Sequence, residues 1–153
     1  MMPKFVLFLT LCVSLVSYHF LTLCNPRLEV LGSGYVKIFS RERVTTNLAT
    51  KQYLATGFMY RARSHNAAAL RAKFTQIDGE SIVLDNYKPA HQILAILGHH
   101  TVGTQITAQT QITYAFSNRH QSFITSNQTR INLQIASRDG RVTIGWPVIL
   151  GSY

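Results

Sequence analysis

Residues Thr129 to Val148 read TRINLQIASRDGRVTIGWPV. Ile131, Leu133 and Ile135 alternate with Asn132, Gln134 and Ala136; Asp139-Gly140 follows; then Val142, Ile144, Trp146 and Val148 alternate with Thr143, Gly145 and Pro147. Period two on both sides of an Asp-Gly pair is the pattern of a β-hairpin with a two-residue turn, because Asp and Gly tolerate the positive φ that such turns impose. Pairing Arg138 with Arg141 sets Ile135 opposite Ile144, Leu133 opposite Trp146 and Ile131 opposite Val148. One face is then apolar throughout, and a slip of one residue would turn that face to water, so the pattern sets its own register.

Upstream of the hairpin, Val102, Ile106, Ala108, Ile112, Tyr114 and Phe116 share one parity and Gln105, Thr107, Gln109, Gln111 and Thr113 the other. This reads as one half-buried strand, or as two strands broken near Ala108-Gln109. Asn118 to Gln128 is a polar connection around Phe123-Ile124. Before it, Ala90, Ile93, Leu94 and Leu97 recur at helical spacing, with Asp85 or Asn86 as N-cap, Pro89 in the first turn and Gly98 at the C-terminal stop, predicting a helix of about three turns. Asp78-Gly79 signals a second tight turn ahead of a strand Ser81 to Leu84. Between them and a short strand at Val36 and Ile38, residues 45–77 carry mixed signals. The expectation is a hairpin, Tyr53 to Arg63 going out, a turn near Ser64-His65-Asn66, and Ala69 to Ile77 coming back, although AAALRAK favours helix. The fold class that results is α+β, an antiparallel sheet with one or two helices packed on one face.

Length and charge narrow the function. The chain has 153 residues, with 15 Lys and Arg against 6 Asp and Glu, a formal net charge of +9. Lys4 followed by FVLFLTLCVSLVSYHFLTLC has a basic n-region and an apolar h-region, so residues 1–24 are expected to be a cleaved signal peptide or an uncleaved membrane anchor, with lipidation at Cys24 a third option, and residues 25–153 a single domain. Only Lys4 is lost with that leader, which leaves 14 basic against 6 acidic residues, +8. Such a surplus favours anionic partners: envelope polymers, lipid headgroups or nucleic acid. Both cysteines, Cys12 and Cys24, fall in the leader, so the domain has no disulfide, thiolate metal site or cysteine nucleophile of its own.

Constellations that carry chemistry are scarce. The glycines form no phosphate loop or dinucleotide fingerprint. The six acidic residues outside the leader are Glu29, Glu42, Asp78, Glu80, Asp85 and Asp139, several of them in turn or cap positions, which disfavours a paired-carboxylate site. His99-His100 follows the helix; neighbours in sequence point apart, and the expected role is interaction with the helix C-terminal dipole as positive charge. No GxSxG elbow accompanies them. Catalytic, metal-ligating and cofactor-binding residues are therefore none, and an enzyme using His99, His100 or His120 is the minor alternative. The candidate contact surface is the polar side of the C-terminal hairpin, Asn132, Gln134, Arg138 and Arg141, whose amides and guanidinium groups suit phosphate or base edges.

The segment Ile112 to Tyr153, above all AFSNRHQSFITSNQTRINLQIASR and VTIGWPVILGSY, resembles the C-terminal signature of the YwmB family, TATA-box-binding-like exported proteins of Gram-positive spore-forming bacteria. Asn132, Leu133, Gln134, Ile135, Ala136 and Arg138 match its Asn-Leu-Gln-Ile-Ala-x-Arg strand, and Ile144, Gly145, Pro147, Val148 and Tyr153 match the strand and tail that follow. KPAHQILAIL is similar in position and character. Trp146 stands where a small residue is usual, and the first half looks shortened. The resemblance implies export and a fold similar to the TATA-binding-protein module; it implies no catalytic residue. Together these readings predict a non-enzymatic binding protein, secreted or anchored to the outer face of the cytoplasmic membrane, whose partner is an anionic envelope component or another envelope protein. A nucleic-acid-binding module is the alternative, and the N-terminal segment would supply membrane contact if retained.

Overall fold

The structure is a computed structural model that describes residues 26–150 apart from 108 and 121; the expected leader and Tyr153 lie outside the described residues. The strands are β1 (Gly34–Ser40), β2 (Thr50–Leu54), β3 (Gly57–Arg63), β4 (Gly79–Leu84), β5 (His100–Ile106), β6 (Thr110–Phe116), β7 (Ile124–Ser126), β8 (Thr129–Ile131), β9 (Leu133–Arg138) and β10 (Arg141–Trp146). Eight of them form one sheet in the order β2-β3-β1-β4-β10-β9-β6-β5, while β7 and β8 pair separately. Every pairing is antiparallel. Two helices, α1 (Ala67–Arg71) and α2 (Ala90–Leu97), and 3-10 turns at Leu28–Leu31 and Ser64–Asn66 complete the helical elements of the described residues. The fold class is α+β, as the alternation of the sequence predicts.

The two helices and the Leu28–Leu31 turn bury apolar residues against the same side of the sheet. Leu28, Leu31, Ala67, Leu70, Ile93 and Leu94 join Val36, Ile38, Ile82, Leu133, Ile135, Val142 and Ile144 in one cluster. Arg71 fastens the layer: it reaches from α1 to the carboxylates of both Glu29 and Glu80, with Nε donating to Glu80 Oε2 at 2.7 Å. Glu80 is 3% exposed, so its charge is retained there by that guanidinium. Tyr60 is fully buried and holds the loop after β1, its hydroxyl accepting from Val44 N–H at 2.7 Å and donating to Glu42 C=O at 3.2 Å.

The hairpin β9–β10 has the register that its alternation demands: Arg141 pairs with Arg138, and Ile144 with Ile135. Its extension does not follow. Thr129–Ile131 belongs to β8, where Ile131 pairs with Ile124 and not with Val148. The break is Asn132, whose amide bonds the backbone of Ser117 in both directions, accepting from Ser117 N–H at 3.0 Å and donating to its C=O at 2.7 Å. A side chain that satisfies buried backbone groups in this way competes with ladder pairing.

Three other expectations need correction. The hairpin in residues 45–77 is β2–β3, turning at Ala55-Thr56, and AAALR is helical because Ala67 and Leu70 both find the core. Helix α2 spans 8 residues, starts after Pro89 and has no side-chain cap; Asp85 instead pairs with Arg63 at 3.2 Å. Gly98 does end it in the left-handed region, φ 66. Asp78-Gly79 makes no hairpin: Gly79 opens β4, whose neighbours are the distant β1 and β10, and Asp78 pairs with Arg41 at 3.0 Å. The strand after Val102 resolves into two, β5 and β6, with a bulge between Thr101 and Gly103 that breaks the simple parity.

The opposite side of the sheet carries no helix among the described residues. The registers line up two rows across it. One runs Arg63, Tyr35, Val83, Thr143, Ala136, Ile112, Gln105; the next runs Thr50, Arg61, Lys37, Ser81, Gly145, Gln134, Tyr114, Gly103. The chain after Trp146 folds back over the middle of these rows. Ile149 packs with Ile112, Ala136 and Tyr114, its N–H donates to Gln134 Oε1 at 3.0 Å, and Leu150 C=O accepts from Lys37 Nζ at 3.3 Å. Gly145 makes room for this return, since a Cβ there would sit 2.2 Å from the Ile149 nitrogen.

Candidate functional site

The four residues expected to form a contact surface part company. Asn132 is fully buried and Gln134 is 8% exposed; both amides hold the chain's own backbone, Asn132 at Ser117 and Gln134 through its Oε1 at Ile149, and of the two Gln134 keeps an edge on a hollow of the open sheet face. The physical reason is the returning C-terminal segment together with the strand break, both non-local features that alternation does not encode. Arg138 and Arg141 are exposed at the end of the hairpin. Arg138 donates to Gln109 Oε1 at 2.9 Å and lies 3.4 Å from the Asp139 carboxylate.

On the far side of the returning segment the same sheet face builds a denser constellation. Tyr35 in β1 lies beneath the guanidinium groups of Arg61 and Arg63, with their central carbons 4.4 and 3.9 Å from its ring centroid. The arrangement follows from register: Tyr35 pairs with Arg63, and Arg61 is two residues away on the same face of β3. Guanidinium groups over a tyrosine face gain cation–π attraction and keep their N–H edges available to an acceptor. Arg63 is half-exposed and shares Asp85, whereas Arg61 has no ion-pair partner among the described residues. Lys37 and Thr50 continue the row on which Arg61 lies. Beside the cluster opens a hollow of about 480 Å3, lined by Tyr35, Asn47, Thr50, Arg61, Arg63 and Asn66 among others. The alternation Tyr60-Arg61-Ala62-Arg63 carried this signal in the sequence, with two cations on the parity opposite a buried Tyr and Ala; Tyr35 beneath them was invisible without the β1–β3 register.

His99 does not sit as a charge on the helix dipole. His99 is 8% exposed, its ring stacked on His120 at 5.0 Å between centroids, with Nδ1 3.0 Å from Leu97 C=O. Burial, followed by the neighbouring His120, pushes its pKa down to about 4, so the ring is neutral near pH 7. His100 is exposed and meets the edge of Phe116. Among the described residues no group of three or more His, Cys, Asp or Glu side chains could hold a metal ion, and no helix is long and apolar enough to cross a membrane.

Against this geometry the chain was compared with protein-family models, curated proteins and solved structures. None of them matches. A tyrosine ring supporting paired guanidinium groups, with lysine, hydroxyl and amide neighbours, can bind a phosphodiester anion, through charge and through planar N–H donors.

Proposed function

We propose that the protein is an exported or membrane-anchored, non-enzymatic binding domain that engages an anionic component of the cell envelope through the sheet face around Tyr35, Arg61 and Arg63. The observation that carries this reading is the stacking of two guanidinium groups on one exposed-face tyrosine, with Asp85 the one carboxylate ion-paired to them among the described residues. The basic surplus of the chain supports it, since a net charge of +9 raises encounter rates with polyanions. The likeness of the second half to the YwmB family supports the envelope location. Relative to the hairpin polar face, the centre of contact moves to β1 and β3, with Arg138 and Arg141 as outlying charges.

Vesicles of phosphatidylglycerol, with neutral phosphatidylcholine vesicles as control, test the reading in co-sedimentation. Binding to the anionic vesicles is expected, falling steeply as salt rises through the range where the Debye length shrinks from about 10 to 3 Å. Arg61→Ala together with Arg63→Ala is expected to remove most of it. Salt-insensitive binding, or full binding by the double variant, would sink the proposal.

Nucleic acid is the second reading, favoured by the ring that Tyr35 places among arginines, a combination that also suits stacked bases. Titration of duplex and single-stranded DNA at two salt concentrations separates it: tighter binding to DNA than to the vesicles, with sequence discrimination, would replace the envelope ligand.

A further inference from the structure

The open sheet face has a second hollow, on the other side of the returning C-terminal segment from Tyr35. It encloses about 500 Å3 between β5, β6, the β7–β8 hairpin and Val148, within the range of roughly 300–1,000 Å3 typical of small-molecule sites. Its composition is unlike that of the basic cluster. Among its described lining residues there is no Asp, Glu, Lys, Arg or His; amides from Gln105, Asn127 and Gln134 alternate with apolar surface from Val102 and Ile131 and with the ring of Tyr114.

The polar groups are arranged with donors to spare. Gln134 is 8% exposed and its Oε1 is taken by Ile149 N–H, so its Nε2 protons, which have no partner among the described residues, are what it can offer a ligand. Tyr114 donates its hydroxyl to Gln105 Oε1 at 3.1 Å; this leaves the phenol oxygen as acceptor and the Gln105 amide nitrogen as donor. Both amide nitrogens reach the hollow with their N–H groups uncommitted, so an acceptor on a ligand can take the place of water there. A ligand matching this lining is neutral, carries a carbonyl oxygen for the amide donors, and has both apolar and hydroxyl-bearing edges.

We propose that this hollow is a second binding site, for a neutral N-acetylated sugar residue: its acetamido carbonyl takes the Gln134 and Gln105 donors, its methyl meets Val102 and Ile131, and the C–H face of the ring lies on Tyr114. The site does not depend on the anionic ligand proposed above, and the two are distinguishable by charge. The test is a titration of the 15N-labelled full chain with tri-N-acetylchitotriose, followed by chemical shifts. Two controls run in parallel: maltotriose, which has hydroxyls and no acetamido group, and N-acetylalanine methylamide, which has the amide and no sugar ring. Saturable shifts at Gln105, Tyr114 and Gln134 are expected with the acetylated sugar alone. They should be insensitive to salt and unchanged by Arg61→Ala. Gln105→Ala, at an exposed position of an edge strand, should weaken binding roughly five- to tenfold, the worth of one hydrogen bond, without changing the melting temperature. Absence of saturable shifts, shifts confined to the Tyr35 side, or equal binding of either control would overturn the assignment.

Discussion

His99 shows how burial at one residue sets a pH response. With its ring pushed down to about 4 against an ordinary value of 6.5, the folded chain holds that histidine neutral where the unfolded chain protonates it. Above pH 6.5 neither state carries the proton and the contribution is complete. Between pH 6.5 and 4 the unfolded state binds a proton that the folded state refuses, so stability falls as pH falls. At about 1.4 kcal/mol per pH unit the loss approaches roughly 3 kcal/mol across that window. Urea unfolding at pH 7 and pH 4.5 should show this loss in the wild-type chain and a smaller one in His99→Phe, which cannot take the proton. Equal pH dependence in the two chains would contradict a neutral buried His99. The sequence carried the His99-His100 doublet in plain view, yet which of the pair is buried depends on His120, contributed by a connection some twenty residues on.

At the scale of elements, the helical layer is joined to the sheet by one cation. Arg71 ends α1, Glu29 lies in the Leu28–Leu31 turn and Glu80 lies in β4, so a single guanidinium ties together three elements, one of them some forty residues away in sequence. Burial pushes the Glu80 carboxyl up, against the pull of Arg71, which means the charge persists only because its partner is present. Arg71→Met should therefore cost about 3–5 kcal/mol at pH 7, the range for removing one member of a buried ion pair. The deficit relative to wild type should shrink at pH 4.5, where orphaned carboxylates take up protons. Denaturant unfolding at the two pH values measures both; a deficit that grew on acidification would rule out uncompensated carboxylates as its cause. None of these partners was legible beforehand. Acidic and basic residues are too common for pairing to be read from sequence, and only the seating of α1 on the sheet, through Ala67 and Leu70, selects Glu80.

For the whole molecule, the position of the returning C-terminal segment determines what the open sheet face can do. It covers the centre and leaves a basic hollow beside Tyr35 and a neutral one beside Tyr114. Gly145 permits this by having no Cβ where Ile149 passes. Gly145→Val should displace the segment, release Ile149 from Ile112 and Ala136 and break the Gln134 bond, at a cost of about 2–4 kcal/mol, comparable to losing a buried aliphatic side chain with its cavity. Limited proteolysis should then cut within residues 147–150 of the variant and spare the wild type under the same conditions. Resistance equal to wild type would mean that the segment does not rely on Gly145.

What the sequence determined by itself is local: the period-two runs that became β5, β6, β9 and β10, the Asp-Gly turn with its register, the helix ending at Gly98, and a strongly basic chain with both of its cysteines in residues 1–24. Each of these rests on neighbours within a few residues, where side-chain direction and backbone preference act directly. Tertiary structure decided the rest. It placed β4 between β1 and β10, tied the Asn132 amide to Ser117 and the Gln134 Oε1 to Ile149, and brought Tyr35 under Arg61 and Arg63. Those outcomes depend on which distant segments exclude water together, and the free energy of that choice is shared across the core and written at no single position.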